Sequence, residues 1–454
     1  MNVSRRVALK LSSALVGLLF TSNVLASQEK KGTKKSPKVP KQDKAYIPKA
    51  KGPRVVILGG GWAGLSVAKN LKIFSPKADI VLVEQRDIFM SGPVSNSWLV
   101  DKIKLDFLMH DYLKAARNND YLFFHAAATG VDKKHKILHT TRGDIDYDYL
   151  VLAPGIDYDY SCWNADAELE NRLRMEYPAA MRPGSEMFTL KEKIKNFKGG
   201  NFIITVPSGN YRCLPAPYER ACVIADYIKH NKLKAKVIIL DENNEITIKP
   251  DGFHTAFKEL YKDIIQWEPN AGLESIDLDK KIVTTEFEDY KFTDAIFYPH
   301  VRGAKILEIA GVAKDSVFNK LEADINQFTY EAKGYPDIFI CGDARPMGFS
   351  KSGNTSNTEG AIVAKRVAAK VNKKPDPKWS SPVTLCISEV EIYPKERGIS
   401  ITTQYRYIKE EKTFDFYKSY SEEDWKGKKG LARGEAVYAW ANALYIDMFG
   451  VDKG

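Results

Sequence analysis

The chain has 454 residues, 28% of them charged and 44% hydrophobic, with 30 Gly and 21 Pro. That composition excludes collagen-like, coiled-coil and wholly disordered chains and leaves room for two or three globular domains. The net charge of +10 is concentrated at one end: residues 1–52 hold twelve of the 68 Lys/Arg against only Glu29 and Asp43, so the remainder is neutral. A basic groove for nucleic acid has no support in a neutral body.

In chain order, Ser4-Arg5-Arg6-Val7 precedes an apolar stretch from Leu11 to Leu25 and the small-residue site Val24-Leu25-Ala26. This predicts a signal peptide over residues 1–26 and a periplasmic mature chain. The arginine pair resembles a twin-arginine export signal, with Ala8 where that pattern prefers Phe. Residues 27–52 are Lys- and Pro-rich and predict a solvated linker. No later segment is apolar for long enough to predict an integral membrane span.

Arg54-Val55-Val56-Ile57-Leu58 predicts a strand, and Gly59, Gly61 and Gly64 follow it in a G-x-G-x-x-G turn that opens a helix through Leu71. Glycines there let the backbone approach a pyrophosphate at the helix N-terminus. The next strand, Ile80–Val83, ends in Glu84, placed to hold a ribose hydroxyl and to repel a 2′-phosphate. Tyr149–Leu152 predicts another strand, which turns at Pro154-Gly155, and Ile338–Ile340 a further one, which turns at Gly342-Asp343. Together these motifs resemble the three FAD-contacting segments of the two-dinucleotide-domain flavoproteins, relatives of glutathione reductase. The resemblance implies an α/β fold with two Rossmann-like domains and a C-terminal α+β domain. It assigns Gly59, Gly61, Gly64, Glu84, Gly155, Gly342 and Asp343 to FAD, with the Asp343 carboxylate on the ribityl chain. The boundaries expected are 53–165 with 300–376 for the FAD domain, 166–299 for the second domain and 377–454 for the C-terminal domain.

The second domain's first strand, Phe202–Val206, runs into Pro207-Ser208-Gly209-Asn210 rather than a Gly-rich cradle, so a nicotinamide site is not expected. The five cysteines, Cys162, Cys213, Cys222, Cys341 and Cys386, form no CxxC or CxxCH, which argues against a zinc ribbon, a thioredoxin motif and a c-type haem in this chain. No metal is expected. In an oxidising compartment two of the five can pair, and the sequence leaves open which.

Tyr211–Ala221 around Cys213, Thr384-Leu385-Cys386, Lys351-Ser352-Gly353 and the ending Tyr438-Ala439-Trp440 to Gly450 resemble the flavoprotein subunit of flavocytochrome c sulfide dehydrogenase. The resemblance implies a redox disulfide between Cys213 and Cys386, attacked by hydrosulfide and reoxidised by FAD. It also implies Glu219 as an acid/base, Trp440 as a site wall, Lys351 beside the cofactor, and a separate c-type cytochrome docked on residues 377–454. Gly92 stands where many members carry a flavin-linking cysteine, so non-covalent FAD is expected. Sulfide:quinone oxidoreductases share the two cysteines and are the alternative. A non-catalytic flavoprotein partner of a sulfur-oxidising complex is a third reading. Cys222 and Cys341 are expected to be unreactive core residues.

Overall fold

A computed structural model of the chain describes residues 43–450. The expected signal peptide and most of the linker lie outside these residues. The end of that linker differs from expectation. Lys44 forms a bridge with Asp144, Ala45 donates its N–H to the Asp144 carbonyl at 2.9 Å, and the Arg54 guanidinium reaches the Pro48 carbonyl. Backbone bonds to a neighbouring hairpin satisfy this polar stretch, so from residue 43 it is laid on the body.

The first sheet is built around β1 (Arg54–Leu58), which pairs in parallel with β2 (Asp79–Glu84) on one side and β4 (Tyr149–Leu152) on the other. β3 (Leu122–His125) extends it beyond β2. β9 (Tyr335–Ile340) pairs with β4 in parallel, and the short strand Glu331–Ala332 closes that edge antiparallel. Val55, Val56 and Ile57 have no exposed surface, as a parallel strand covered on both faces requires. α1 (Trp62–Phe74) crosses closely over α3 (Gly353–Val371), where Ser66 Oγ donates to the Asn357 carbonyl at 2.6 Å.

A second parallel sheet runs β7 (Ile265–Glu268), β6 (Ala235–Asp241), β5 (Gly200–Val206), β8 (Asp294–Ile296), with α2 (Ala216–His230) packed on it. The third sheet is antiparallel: β10 (Thr384–Glu391), β11 (Arg397–Ile408) and β12 (Thr413–Glu422). The final helix α4 (Gly427–Phe449) lies against it. Alternating βαβ units around parallel sheets, followed by an antiparallel α+β segment, give the α/β architecture expected.

Candidate functional site

β1 is flanked by β4 and β2, so the strand order reverses at β1 and a crevice opens beside its C-terminal end, the place where open parallel sheets bind ligands. A cleft of about 470 Å³ occupies it. Its walls include Gly59, Gly61, Trp62, Glu84, Gly155, Arg212 and Asp343. A Cβ on Gly61 or Gly155 would meet nothing within 4 Å, so both backbones are bare towards open space. Gly59 serves the turn itself: its φ is +104° and a Cβ would sit 2.3 Å from the Ala153 carbonyl oxygen. Gly64 does not line the cleft; a side chain there would strike the Gly59 carbonyl at 1.8 Å, so it permits the helix to approach the strand. Glu84 is buried at the end of β2, where its carboxylate accepts the Gly60 N–H at 2.7 Å and the Arg86 Nε at 3.1 Å. Asp343 is buried too, accepting from Ser356 Oγ at 3.0 Å and facing Arg212 Nε at 3.3 Å. Bare glycine backbone, a strand-end acid and a buried aspartate around one elongated cleft are the donor set a dinucleotide cofactor requires.

Lys351 is not among the residues that line the cleft. Its ammonium has no exposed surface and sits on Glu322 Oε1 at 2.7 Å and on the Asp343 and Arg345 carbonyls, away from the cleft. Its contribution is structural: its carbonyl accepts the Cys213 N–H at 2.7 Å.

That bond anchors the cysteine loop. Tyr298 Oη donates to the Arg212 carbonyl at 2.7 Å, Tyr211 Oη to the Leu214 carbonyl at 3.0 Å, and Cys213 itself takes the left-handed region with φ 59°. A non-glycine residue there is strained by on the order of 1–3 kcal/mol and persists only when its surroundings hold it. Cys386, 173 residues further along the sequence, acts electrostatically on Cys213, and both are free, half-buried thiols. Burial pushes both thiols up; for Cys213 the neighbours Cys386 and Glu219 add to this, while Arg212 and Lys249 oppose it. Glu219, on the first turn of α2, is buried and itself pushed up by desolvation, against hydrogen bonds from Asn96 and Ser388.

Several participants escape sequence reading. Arg212 adjoins Cys213 and links the thiol loop to the cleft through Asp343. Ser388 shares a strand face with Cys386 by the two-residue period of β10. Lys249 donates to Ser388 Oγ at 2.7 Å, and nothing in its local sequence signals that. Trp440 stands apart from the cleft lining: its Nε1 donates to Asn354 Oδ1 at 3.0 Å, tying α4 to the start of α3. Cys222 and Cys341 are fully buried, with thiols raised by burial. Cys162 is pushed up to about 12, again by burial.

In the second domain, Ser208 donates its N–H and hydroxyl to Glu242 Oε2 at 3.0 and 2.9 Å, and His300 Nε2 meets the same oxygen at 2.6 Å. Gly209 abuts the Phe318 carbonyl, and Asn319 Nδ2 donates to the Asn210 carbonyl at 3.1 Å. Protein groups thus occupy the turn after β5, where a nucleotide cradle would stand. Among the described residues no His/Cys/Asp/Glu group suited to a metal occurs.

The two dinucleotide-type sheets and the cleft define the class: the chain has the fold of the flavoprotein superfamily that includes the glutathione reductase relatives. Residues 53–176 match the family described as pyridine nucleotide-disulphide oxidoreductase. Residues 188–297 match the family described as sulfide dehydrogenase (flavocytochrome c) flavoprotein chain, central. The chain is 22% identical over 367 residues to the mitochondrial sulfide:quinone oxidoreductase of Dictyostelium discoideum, covering 77% of this chain and 78% of that one. It is 24% identical over 358 residues to the sulfide-quinone reductase of Aquifex aeolicus, covering 74% and 80%. The X-ray structure of the sulfide:quinone oxidoreductase from Aquifex aeolicus superposes with a TM-score of 0.68 at 17% identity, over 88% of this chain and 92% of that one.

Proposed function

We propose that this protein is an FAD-dependent sulfide oxidoreductase in which Cys213 and Cys386 form the sulfur-accepting pair and a quinone takes the electrons. The observation that carries the reading is that Cys213, next to Arg212 of the cleft wall, feels the charges of the distant Cys386 and of Glu219, Arg212 and Lys249. A disulfide is an electrophile for hydrosulfide, and a pair so placed accepts it without a metal ligand set. The quinone acceptor is supported by the relatives named above, which span about three quarters of the chain.

Bound FAD supplies a two-electron sink that can be emptied again by an external acceptor. The chain's own residues do the rest. The strand-end Glu84 and the bare Gly61 and Gly155 backbones hold the nucleotide, and Asp343 the chain leading to the flavin ring. Arg212 holds Asp343 in place and opposes the burial that keeps Cys213 neutral. Glu219, its carboxyl raised by burial, is placed to take and return a proton at the cysteine sulfurs. A Cβ on Gly92 would stand 3.7 Å from Arg212 Nη2 at the cleft margin, and glycine has no thiol to couple there, so FAD is held non-covalently.

A second reading, transfer to a c-type cytochrome after export to the periplasm, is favoured by the match of the central residues 188–297. Its leader, residues 1–26, lies outside the described part. Among the described residues no helix is long and apolar enough to cross a membrane.

The test is anaerobic. Protein whose flavin is released by acid precipitation is titrated with sulfide while the oxidised-flavin absorbance is followed. Bleaching that disappears in Cys213→Ser and Cys386→Ser is expected, and faster reoxidation by a soluble quinone than by cytochrome c. The opposite order supports the cytochrome reading. A flavin that stays oxidised with both cysteines intact overturns sulfide oxidation and leaves a flavin-bearing partner protein.

A further inference from the structure

Glu389 has no exposed surface and stands on β10, the strand that also carries Cys386. Two hydroxyls meet its carboxyl: Ser97 Oγ donates to Oε2, and Tyr438 Oη lies 3.1 Å from Oε1. The same Tyr438 oxygen lies 3.4 Å from Oε1 of Glu396, in the turn between β10 and β11. Lys102 Nζ ends the row, 2.9 Å from that Glu396 oxygen, and the Glu396 and Lys102 side chains are 18% and 27% exposed. One tyrosine hydroxyl thus joins a fully buried acid to an acid that reaches solvent.

Proton counting shows what this row needs. A phenol hydroxyl carries one proton and donates it to one oxygen at a time. With both carboxyls ionised, one of them would face Tyr438 oxygen to oxygen, and a buried charge would lose its partner. One further proton satisfies every group, in either of two places. Held on Glu389, it is donated to Tyr438 Oη, while Tyr438 donates to the Glu396 carboxylate that Lys102 neutralises. Held on Glu396, both bonds reverse. Burial, with Glu219 nearby, pushes Glu389 up to about 8 against its hydrogen bonds, so the first arrangement holds at neutral pH. The titratable groups facing Glu389 are Glu219 from α2, Tyr438 from α4 and Glu396 from the turn after β10. On the short helix Ser95–Leu99, Ser97 holds Glu389 while the adjacent Asn96 accepts from Arg220 Nε at 3.2 Å, beside Glu219 on α2. The inner end of the row therefore lies towards the Glu219 side of the sulfur site.

We propose that Glu389, Tyr438 and Glu396 form the path by which the proton of hydrosulfide leaves the buried site for solvent. This rests on the sulfide-oxidising reading above. Oxidation of HS⁻ to the level of S⁰ gives up two electrons, which by that reading pass to a quinone, and one proton. Glu389 passes its proton to Tyr438 Oη, Tyr438 gives its own to Glu396, and Glu396 gives that one to water. Glu389, now a carboxylate, takes up the proton released at the sulfur site. Each transfer breaks one O–H bond and makes another, so charge and atoms balance.

Full-length holoprotein is followed by infrared difference spectroscopy as H2O is exchanged for D2O. A protonated-carboxyl band is expected that disappears in Glu389→Gln. Its shift on deuteration is expected to be slower by about tenfold or more in Tyr438→Phe and in Glu396→Gln than in wild type. Phenylalanine keeps the ring that packs edge-on against Phe107, and circular dichroism on the same samples checks the fold. In a second arm, sulfide-driven turnover with a soluble quinone is measured in H2O and D2O, and Tyr438→Phe is expected to lower kcat and enlarge the solvent isotope effect. A carboxyl band that survives Glu389→Gln, or equal exchange in wild type and both outer variants, would overturn the path. So would a kcat and isotope effect that Tyr438→Phe leaves unchanged. Should Tyr438→Phe fail to fold, Glu396→Gln near the surface decides. A flavin that ignores sulfide while exchange still depends on Tyr438 sinks the sulfide reading and leaves the proton path standing.

Discussion

Glu389, on β10, has no exposed surface, and its carboxyl takes hydrogen bonds from Ser97 Oγ and, at 3.1 Å, from Tyr438 Oη. Burial, with Glu219 nearby, pushes it up to about 8 from an ordinary 4.5, against those hydrogen bonds. The folded state keeps this proton to higher pH than the unfolded chain does, so stability is full at low pH and falls as pH rises between these values. Each unit of difference is worth about 1.4 kcal/mol, and the loss amounts to about a few kcal/mol. Glu389→Gln is neutral throughout and is expected to flatten the decline. Urea midpoints for both proteins at pH 5 and pH 8 check this; equal declines would refute it. The residue scale is also where sequence reading was weakest. Lys351 looked like a cofactor contact because of its motif, but a buried ammonium needs a carboxylate more than a cleft, and Glu322 provides one.

At the scale of elements, the turn joining β1 to α1 was legible, because its demands are local. Only glycine suits φ +104° against the Ala153 carbonyl, and the residues before and after follow strand and helix patterns. Gly61 differs from its neighbours in having open space where a side chain would go. Gly61→Val is therefore expected to fold, with a melting temperature close to wild type, while the flavin recovered per chain drops by about tenfold or more as the branched side chain fills the cleft. Flavin content and circular dichroism on the same preparation separate the two effects. The hairpin β11–β12 shows the alternation of strands with one covered face, Tyr405 and Phe414 being buried and Arg406 and Asp415 exposed. The final helix was readable only in part. Tyr445 stacks on Trp62 at 6.0 Å and Phe449 on His110 at 4.7 Å, so two of its aromatics pack behind the cleft wall. Trp440 instead bonds α4 to Asn354.

For the molecule as a whole, two sheets of the same topological kind carry different mouths. One opens on bare glycine backbone, whereas the other is filled by Ser208, Glu242 and His300 and covered by the segment around Phe318 and Asn319. NADH is therefore expected to leave the flavin oxidised in an anaerobic stopped-flow trace under conditions where sulfide bleaches it. Rapid reduction by NADH would show that the second mouth opens. The charge distribution acts at this scale as well: the excess positive charge lies in the first 52 residues, and the remainder of the chain has no net charge.

By itself the sequence determined whatever depends on neighbours along the chain. Glycine spacing, a strand-end acid and apolar runs of strand length fixed the cleft and its parallel sheet, since turn sterics and burial periodicity act over a few residues. Where a family resemblance was needed, as for Cys213, Cys386 and Glu219, spacing alone was silent. Only tertiary structure decided which charges surround those sulfurs. The loop before α2, the start of the helix at Pro250 and strand β10 come from three distant segments, and a hydrogen bond from Lys249 to Ser388 joins the last two. A field at a sulfur depends on distance through space and on excluded water, and neither is written in the order of residues.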